Sequence, residues 1–182
     1  MMESSQLTYT YKYPRPAVTV DCIISGFDKG DLKILPTKRG IEPHLGKWAF
    51  PGGFIQADET ADEDARRKLL DEAGLQNIFL EQLYTFSEIG RDPHYRVISI
   101  AYYALVKSTD YTLNAGMGTD DVQWFNLDEK EDLAFDHSKI MEVAIDRLKG
   151  KIRHEPIGFE LLPERFTLPD LHRLYERVLR QQ

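Results

Sequence analysis

Four ionisable residues, Asp64, Lys68, Asp71 and Glu72, follow one another at intervals of three and four positions or adjoin. On an α-helix this spacing places them on one side, about one and two turns apart. Carboxylates gathered in this way suit a hard divalent cation, which prefers carboxylate and water oxygens. Such a cation neutralises charge on phosphoryl oxygens and makes its bound water more acidic, which are the two needs of diphosphate cleavage. Lys68 interrupts the acidic series. While charged it cannot ligate a metal, and it could occupy the metal's place and touch phosphate directly. Asp64 could pair with Lys68 or substitute as a carboxylate. Taken alone, the same four residues also describe a solvated charged face. Arg39, beside Gly40, and Arg91 and Arg96, flanking Asp92-Pro93, supply guanidinium groups suited to bidentate phosphate contact. Their plainer readings are a surface charge for Arg39 and a turn-stabilising pair with Asp92 for Arg91 and Arg96.

The elements that must position these groups follow from periodicity and punctuation. Thr60 to Ala73 reads as a helix, with Asp58 or Thr60 as its cap and Gly74 as its left-handed stop. Ala61, Ala65, Leu69 and Ala73 give it a thin apolar face. Glu59 and Arg67 are placed to hold the preceding loop on the helix by an ion pair. Upstream, Tyr9, Tyr11 and Tyr13 alternate with polar residues and predict a short strand before Pro14 and Pro16. Ala17 to Ser25 reads as a buried strand, Asp28-Lys29-Gly30 as a turn, and Leu32 to Thr37 as its hairpin partner. Pro36 should sit away from a ladder partner. A loop from Lys38 to Gly46 leads to a short strand, Lys47 to Phe50, and to Gly52-Gly53. Downstream, Ile78 to Phe86 and Arg96 to Val106 read as long strands and Val122 to Phe125 as a short one. Ser138 to Leu148 and Leu168 to Leu179 read as amphipathic helices. Strands arranged around a strand–loop–helix unit predict a mixed α/β sandwich.

Bulk properties narrow the classes. The chain has 182 residues and a formal charge of −7 at pH 7. That charge argues against a general nucleic-acid-coating protein and requires local cations for any anionic substrate. The lone cysteine, Cys22, lies in an apolar run and reads as a buried inert thiol, without a disulfide framework or zinc cluster, as suits a reducing, cytoplasmic setting. No segment reads as a signal peptide or membrane span. Trp48 and Phe54 could line an adenine or sugar pocket, with core packing the better reading for Trp48. His44 and His94 fall in candidate site loops; His137 reads as a helix cap or a local packing residue. None of the histidines has a metal-ligand spacing. Asp120 and Asp121 read as a surface turn.

Gly53, Glu59, Arg67, Glu72, Gly74 and Leu75 match in type and spacing the Nudix box: glycine, five residues, glutamate, seven residues, then Arg-Glu-aliphatic-any-Glu-Glu-any-Gly-aliphatic. The chain thus resembles the Nudix hydrolase superfamily, with Lys68 at the first helix glutamate and Asp71 at the second. The resemblance implies an α/β (α+β) Nudix fold, a mixed sheet sandwiched between helices, over residues 1–150. It implies that Glu72, Asp71 and a backbone carbonyl near Gly53 hold Mg2+ or Mn2+, and that Glu72, Asp71 and Arg67 form the catalytic set. Arg39, Arg91, Arg96, Phe54 and Gly53 then contact the substrate.

The segments Lys38 to Phe54, Arg91-Asp92-Pro93, Arg96 to Tyr103, Ala134 to His137 and Glu155 to Pro163 resemble one branch of that superfamily. This branch holds ADP-ribose pyrophosphatase-like enzymes and transcription regulators that use a Nudix-like domain as a ligand sensor. In the regulators, the segment from Phe166 opens a winged helix-turn-helix domain. Residues 151–182 accordingly read as a linker and C-terminal helical tail, an incomplete start of such a domain. Two expectations follow. One is a metal-dependent hydrolase of a nucleoside diphosphate such as ADP-ribose, weakened by Lys68. The other is an inactive sensor of ADP-ribose or a sugar, from a regulator that would contact DNA only through a missing C-terminal domain. A homodimer is expected in either case.

Overall fold

A computed structural model describes residues 11–129, 132–156 and 161–179. The first strand, β1 (Ala17–Asp28), is almost wholly buried. The Lys29-Gly30 turn, with both residues at positive φ, returns the chain antiparallel into β2 (Asp31–Ile34). This hairpin stops short of the expected Thr37. Pro36 cannot donate to a ladder, and the chain changes sheets there, so that Thr37 opens β3 (Thr37–Arg39). β4 (Trp48–Ala49) pairs with β3, and β5 (Gly52–Phe54) returns to β1. After helix α1 (Ala61–Ala73) come β6 (Glu81–Phe86), β7 (Val97–Val106), a 3-10 turn (Ser108–Asp110), β8 (Thr119–Val122) and β9 (Phe125–Asn126). Helices α2 (His137–His154) and α3 (Leu168–Leu179) complete the described chain, and α2 runs through residue 150 without a break.

The larger sheet has the order β6-β7-β1-β2-β9, with β5 also on β1; β4-β3-β8 forms a smaller one. β1 and β7 are parallel from Ala17↔Val97 to Gly26↔Val106, whereas the other pairs in the sheet are antiparallel. Alternation along β1 builds a core on each face. Val20, Cys22 and Ile24 meet Ala65, Leu69 and Ala73 of α1. Ile23 and Phe27 meet Ile140, Leu148 and Ile152 of α2, together with Leu174 and Val178 of α3. The sheet therefore lies between helices. Asp21 shares Ile23's face, which directs its carboxylate towards the start of α2. Cys22 is fully buried and its thiol pKa is pushed up by that burial.

Two sequence expectations need correction. Tyr11 and Tyr13 form no strand but lie exposed in irregular chain before Pro14 and Pro16; Tyr9 lies outside the described residues. The single strand expected at Val122 to Phe125 is two strands in different sheets. Val122 and Trp124 pack on the α1 side and Phe125 on the α2 side, so the backbone must turn between them.

Candidate functional site

Helix α1 is fixed at both ends. Of the two candidate caps, Thr60 takes the role: its Oγ accepts from the Glu63 N–H, and the Glu63 carboxylate accepts from the Thr60 N–H, a reciprocal capping box. Gly74 ends the helix at φ 74°, and the Gly74 and Leu75 N–H groups donate to Leu70 and Leu69 carbonyls. The loop from Asn114 to Thr119 then docks on the last turn. The Met117 N–H donates to the Asp71 carbonyl at 3.0 Å, and the Thr119 hydroxyl donates to the Glu72 carbonyl at 3.2 Å. On the other side, Gly52 crosses β1 so closely that a Cβ would lie 2.2 Å from the Val20 carbonyl.

Between these elements opens a cavity of about 340 Å³. Its walls include Arg39 to one side, Gly53 and Phe54 above α1, Lys68, Asp71 and Glu72 on the helix, and Arg91 with Asp21 on the floor. The Lys68 ammonium lies 3.7 Å from Glu72 Oε1, and a Cβ on Gly53 would fall 2.8 Å from the same nitrogen. Glu72 Oε2 accepts from the Gly52 N–H at 3.2 Å. Burial raises the Glu72 pKa to about 7, against the opposing pull of Lys68, the Gly52 N–H and Arg39.

Arg67 also lines the cavity, but carboxylates engage it. Its Nε donates to both Glu59 oxygens at 2.9 Å, its guanidinium contacts the buried Asp64, and it reaches Asp71 at 3.4 Å. These carboxylates hold its pKa above the ordinary arginine value. Arg67 is thus the brace between the Glu59 loop and α1, as its spacing from Glu59 predicts. Asp64 Oδ2 has no hydrogen-bond partner, and burial raises the Asp64 pKa.

This arrangement does not fit a divalent ion. Glu72 faces an ammonium and is partly protonated near neutral pH; Asp71 leans on Arg67. Among the described residues, no three histidine, cysteine or acidic side chains converge so as to hold a metal. Magnesium requires several oxygen donors, and a fixed cation next to its main ligand repels it.

The arginines separate into three situations. Arg39 lines the cavity, half-buried; its Nε donates to the Pro43 carbonyl at 2.7 Å, its guanidinium lies 5.0 Å from the Phe135 ring centroid, and it makes no ion pair among the described residues. Burial lowers its pKa. Arg91 also lines the cavity, but it is held bidentately by Asp136 at 3.0 and 2.7 Å and approaches Asp21 at 3.5 Å, not Asp92. Arg96 is exposed, donates to the Glu88 and Val97 carbonyls, and is not brought to the cavity. Phe54 remains half-exposed at the mouth, edge-on to Tyr95. His94 joins the lining; His44, Trp48, Asp120 and Asp121 do not. Trp48 packs edge-on to Phe125 in the core.

The floor contains a buried network that sequence reading missed. Asp21 Oδ2 accepts from the Ser99 hydroxyl, and Oδ1 lies 3.4 Å from His137 Nε2. His137 Nδ1 accepts from the Phe50 N–H at 2.9 Å, which leaves the proton on Nε2 to face Asp21. His137 is therefore neither a cap nor simple packing: it ties α2 to the strand that leads into Gly52-Gly53. Burial would raise the Asp21 pKa, but His137, Ser99 and Arg91 together outweigh it and hold the carboxylate below its ordinary value. The one available signal was an aspartate inside the apolar run Val18 to Ile24.

The loop, the capped helix and their two-sided sheet find a direct match among known proteins. The NUDIX domain family model covers residues 15–144. The chain belongs to the Nudix family. A second model, the NrtR DNA-binding winged helix domain, matches residues 158–182. That corrects the view that DNA-binding sequence is missing from this Nudix protein: part of the tail carries that domain's pattern. The ADPR responsive transcriptional repressor NtrR of Acinetobacter baylyi is 35% identical over 92% of this chain and 68% of that protein. The ADP-ribose pyrophosphatase of Methanocaldococcus jannaschii is 38% identical over 71% of this chain and 73% of that protein. The NUDIX domain of Shewanella oneidensis NrtR, solved with ADP ribose, superposes with a TM-score of 0.71 at 31% identity, over 81% of this chain and 99% of that one. No helix among the described residues is long and apolar enough to cross a membrane.

Proposed function

We propose that this Nudix protein is the ligand-sensing part of a transcriptional repressor, binding ADP-ribose or a close nucleoside diphosphate relative and hydrolysing it slowly or not at all. The observation that carries the reading is the Lys68 ammonium beside Glu72, where the box otherwise supplies a metal-binding glutamate. An ammonium there offers a pyrophosphate the positive charge that a metal would supply, but it cannot acidify a water molecule. Arg39 lines the same cavity with a guanidinium free of ion pairs among the described residues, and Phe54 offers an exposed ring to a base or sugar. Likeness to the Acinetobacter baylyi repressor and to the winged-helix model supports the regulatory half of the proposal. A homodimer, which sedimentation would measure, belongs to the same reading.

Glu72 and Asp71, with the similarity to the Methanocaldococcus jannaschii pyrophosphatase, favour the hydrolase reading instead. One experiment separates them. ADP-ribose is titrated calorimetrically in EDTA, then incubated with the protein and Mg2+ or Mn2+ while AMP is followed by chromatography. Sensor behaviour is metal-free binding with negligible AMP. Binding that requires the metal, with turnover at ordinary enzyme rates, would establish a hydrolase.

A further inference from the structure

A second cavity, of about 280 Å³, opens where the β1–β2 turn meets the C-terminal segment, on a different part of the fold from the Lys68 cavity. Four cations line it: Lys29 on the turn, Lys107 just after β7, and Arg165 and Arg173 from the tail. Two carboxylates line it as well, and both are already engaged. Asp28 pairs with Lys33 at 3.2 Å. Asp170 pairs with Arg173 at 3.0 Å and, in the first turn of α3, accepts from the Thr167 N–H and hydroxyl. Lys29, Lys107 and Arg165 make no ion pair with any described carboxylate. Three positive charges that no carboxylate among the described residues pairs with thus face one concavity in a chain whose net charge is −7.

Gathering like charges around a low-dielectric recess is unfavourable unless an anion enters it. The floor beneath them is apolar: Phe27, Leu161 and Leu162 are buried, and Phe166 is partly so. A cationic rim over an apolar base suits a ligand with an anionic end and a flat, weakly polar body. The volume admits a group no larger than a mononucleotide. We propose that this seam is a second anion site, taking a phosphomonoester of mononucleotide size. Because Lys29 and Lys107 directly follow strands of the sheet and Arg165 comes from the segment matched by the winged-helix model, such a ligand would clamp those two parts together.

The test uses the full chain with AMP and inorganic phosphate as probes, followed by calorimetry and by ligand-observed NMR. An Arg39→Ala background suppresses nucleotide binding in the Lys68 cavity. A Lys29→Ala Lys107→Ala double variant removes two cations outside the core, the first exposed and the second partly buried. AMP should bind the Arg39→Ala protein, and adding the two lysine substitutions should weaken it about tenfold or more, the scale of one or two charge-assisted contacts. Inorganic phosphate should bind more weakly than AMP but with the same dependence on the lysines. No AMP binding to Arg39→Ala, or binding unchanged by the lysine substitutions, would overturn the proposal. Phosphate binding as tightly as AMP would overturn the mononucleotide assignment. Failure of ADP-ribose to bind the natural chain would count against the sensor reading alone, since this site is read through Lys29 and Lys107.

Discussion

Lys68 and Glu72 set the chemistry of the Nudix cavity through a single contact of 3.7 Å. Lys68→Glu replaces a repelling charge with a further oxygen donor beside Glu72 and Asp71. AMP release from ADP-ribose in Mn2+ should then rise at least about tenfold over the natural chain; equal rates in the two proteins would refute the assigned role of Lys68. Glu72 makes a separate prediction. Its folded pKa of about 7 lies above the ordinary 4.5. Between those values the folded state keeps a proton that the unfolded state has released. Stability therefore declines as pH rises through that window, by up to about 3 kcal/mol, and levels off above it. Glu72→Gln should abolish the decline and leave the variant more stable than the natural chain at pH 8, as urea titrations at several pH values would show. The Glu59–Arg67 brace was legible because both residues belong to one local pattern. The Asp21 network was not. Its partners Arg91 and Ser99 lie 70 and 78 residues further on, and no local periodicity can signal a contact at that range.

Helix α1 was legible almost to the residue, because its start, its stop and its buried stripe are all written locally. Its last turn depends on a distant loop that no pattern announced. A Cβ on Gly116 would fall 2.0 Å from the Asp71 carbonyl oxygen. Gly116→Ala should therefore push the loop off the helix and destabilise the protein by about 1–3 kcal/mol, the range for a forced backbone shift. Chemical denaturation would measure this, and ADP-ribose affinity should fall with it because Met117 and Gly118 line the cavity. The strand at Val122 to Phe125 was misread for a related reason. Four apolar-rich residues look like one element, yet their side chains serve cores on opposite faces of the sheet.

Across the whole molecule, the mixed sheet and its helices followed from the order of strands around one loop–helix unit. How the tail associates did not. Leu174 and Val178 of α3 are fully buried against α2 and the sheet, so the winged-helix segment shares the Nudix core. Leu174→Ala should cost about 2–5 kcal/mol of unfolding free energy, as for other fully buried leucines. If α3 were an independent appendage, calorimetry would show almost no change in the main transition. Helix α2 makes this shared core consequential. Its first residue, His137, touches Phe50 and Asp21 beneath the cavity, and Leu148 and Ile152 near its other end share one apolar cluster with the tail. Its 18 residues form a stiff rod about 27 Å long. Pivoting such a lever by about 5° carries its far tip about 2 Å. An ångström-scale adjustment at the cavity floor would thus arrive at the segment matched by the winged-helix model undiminished in size.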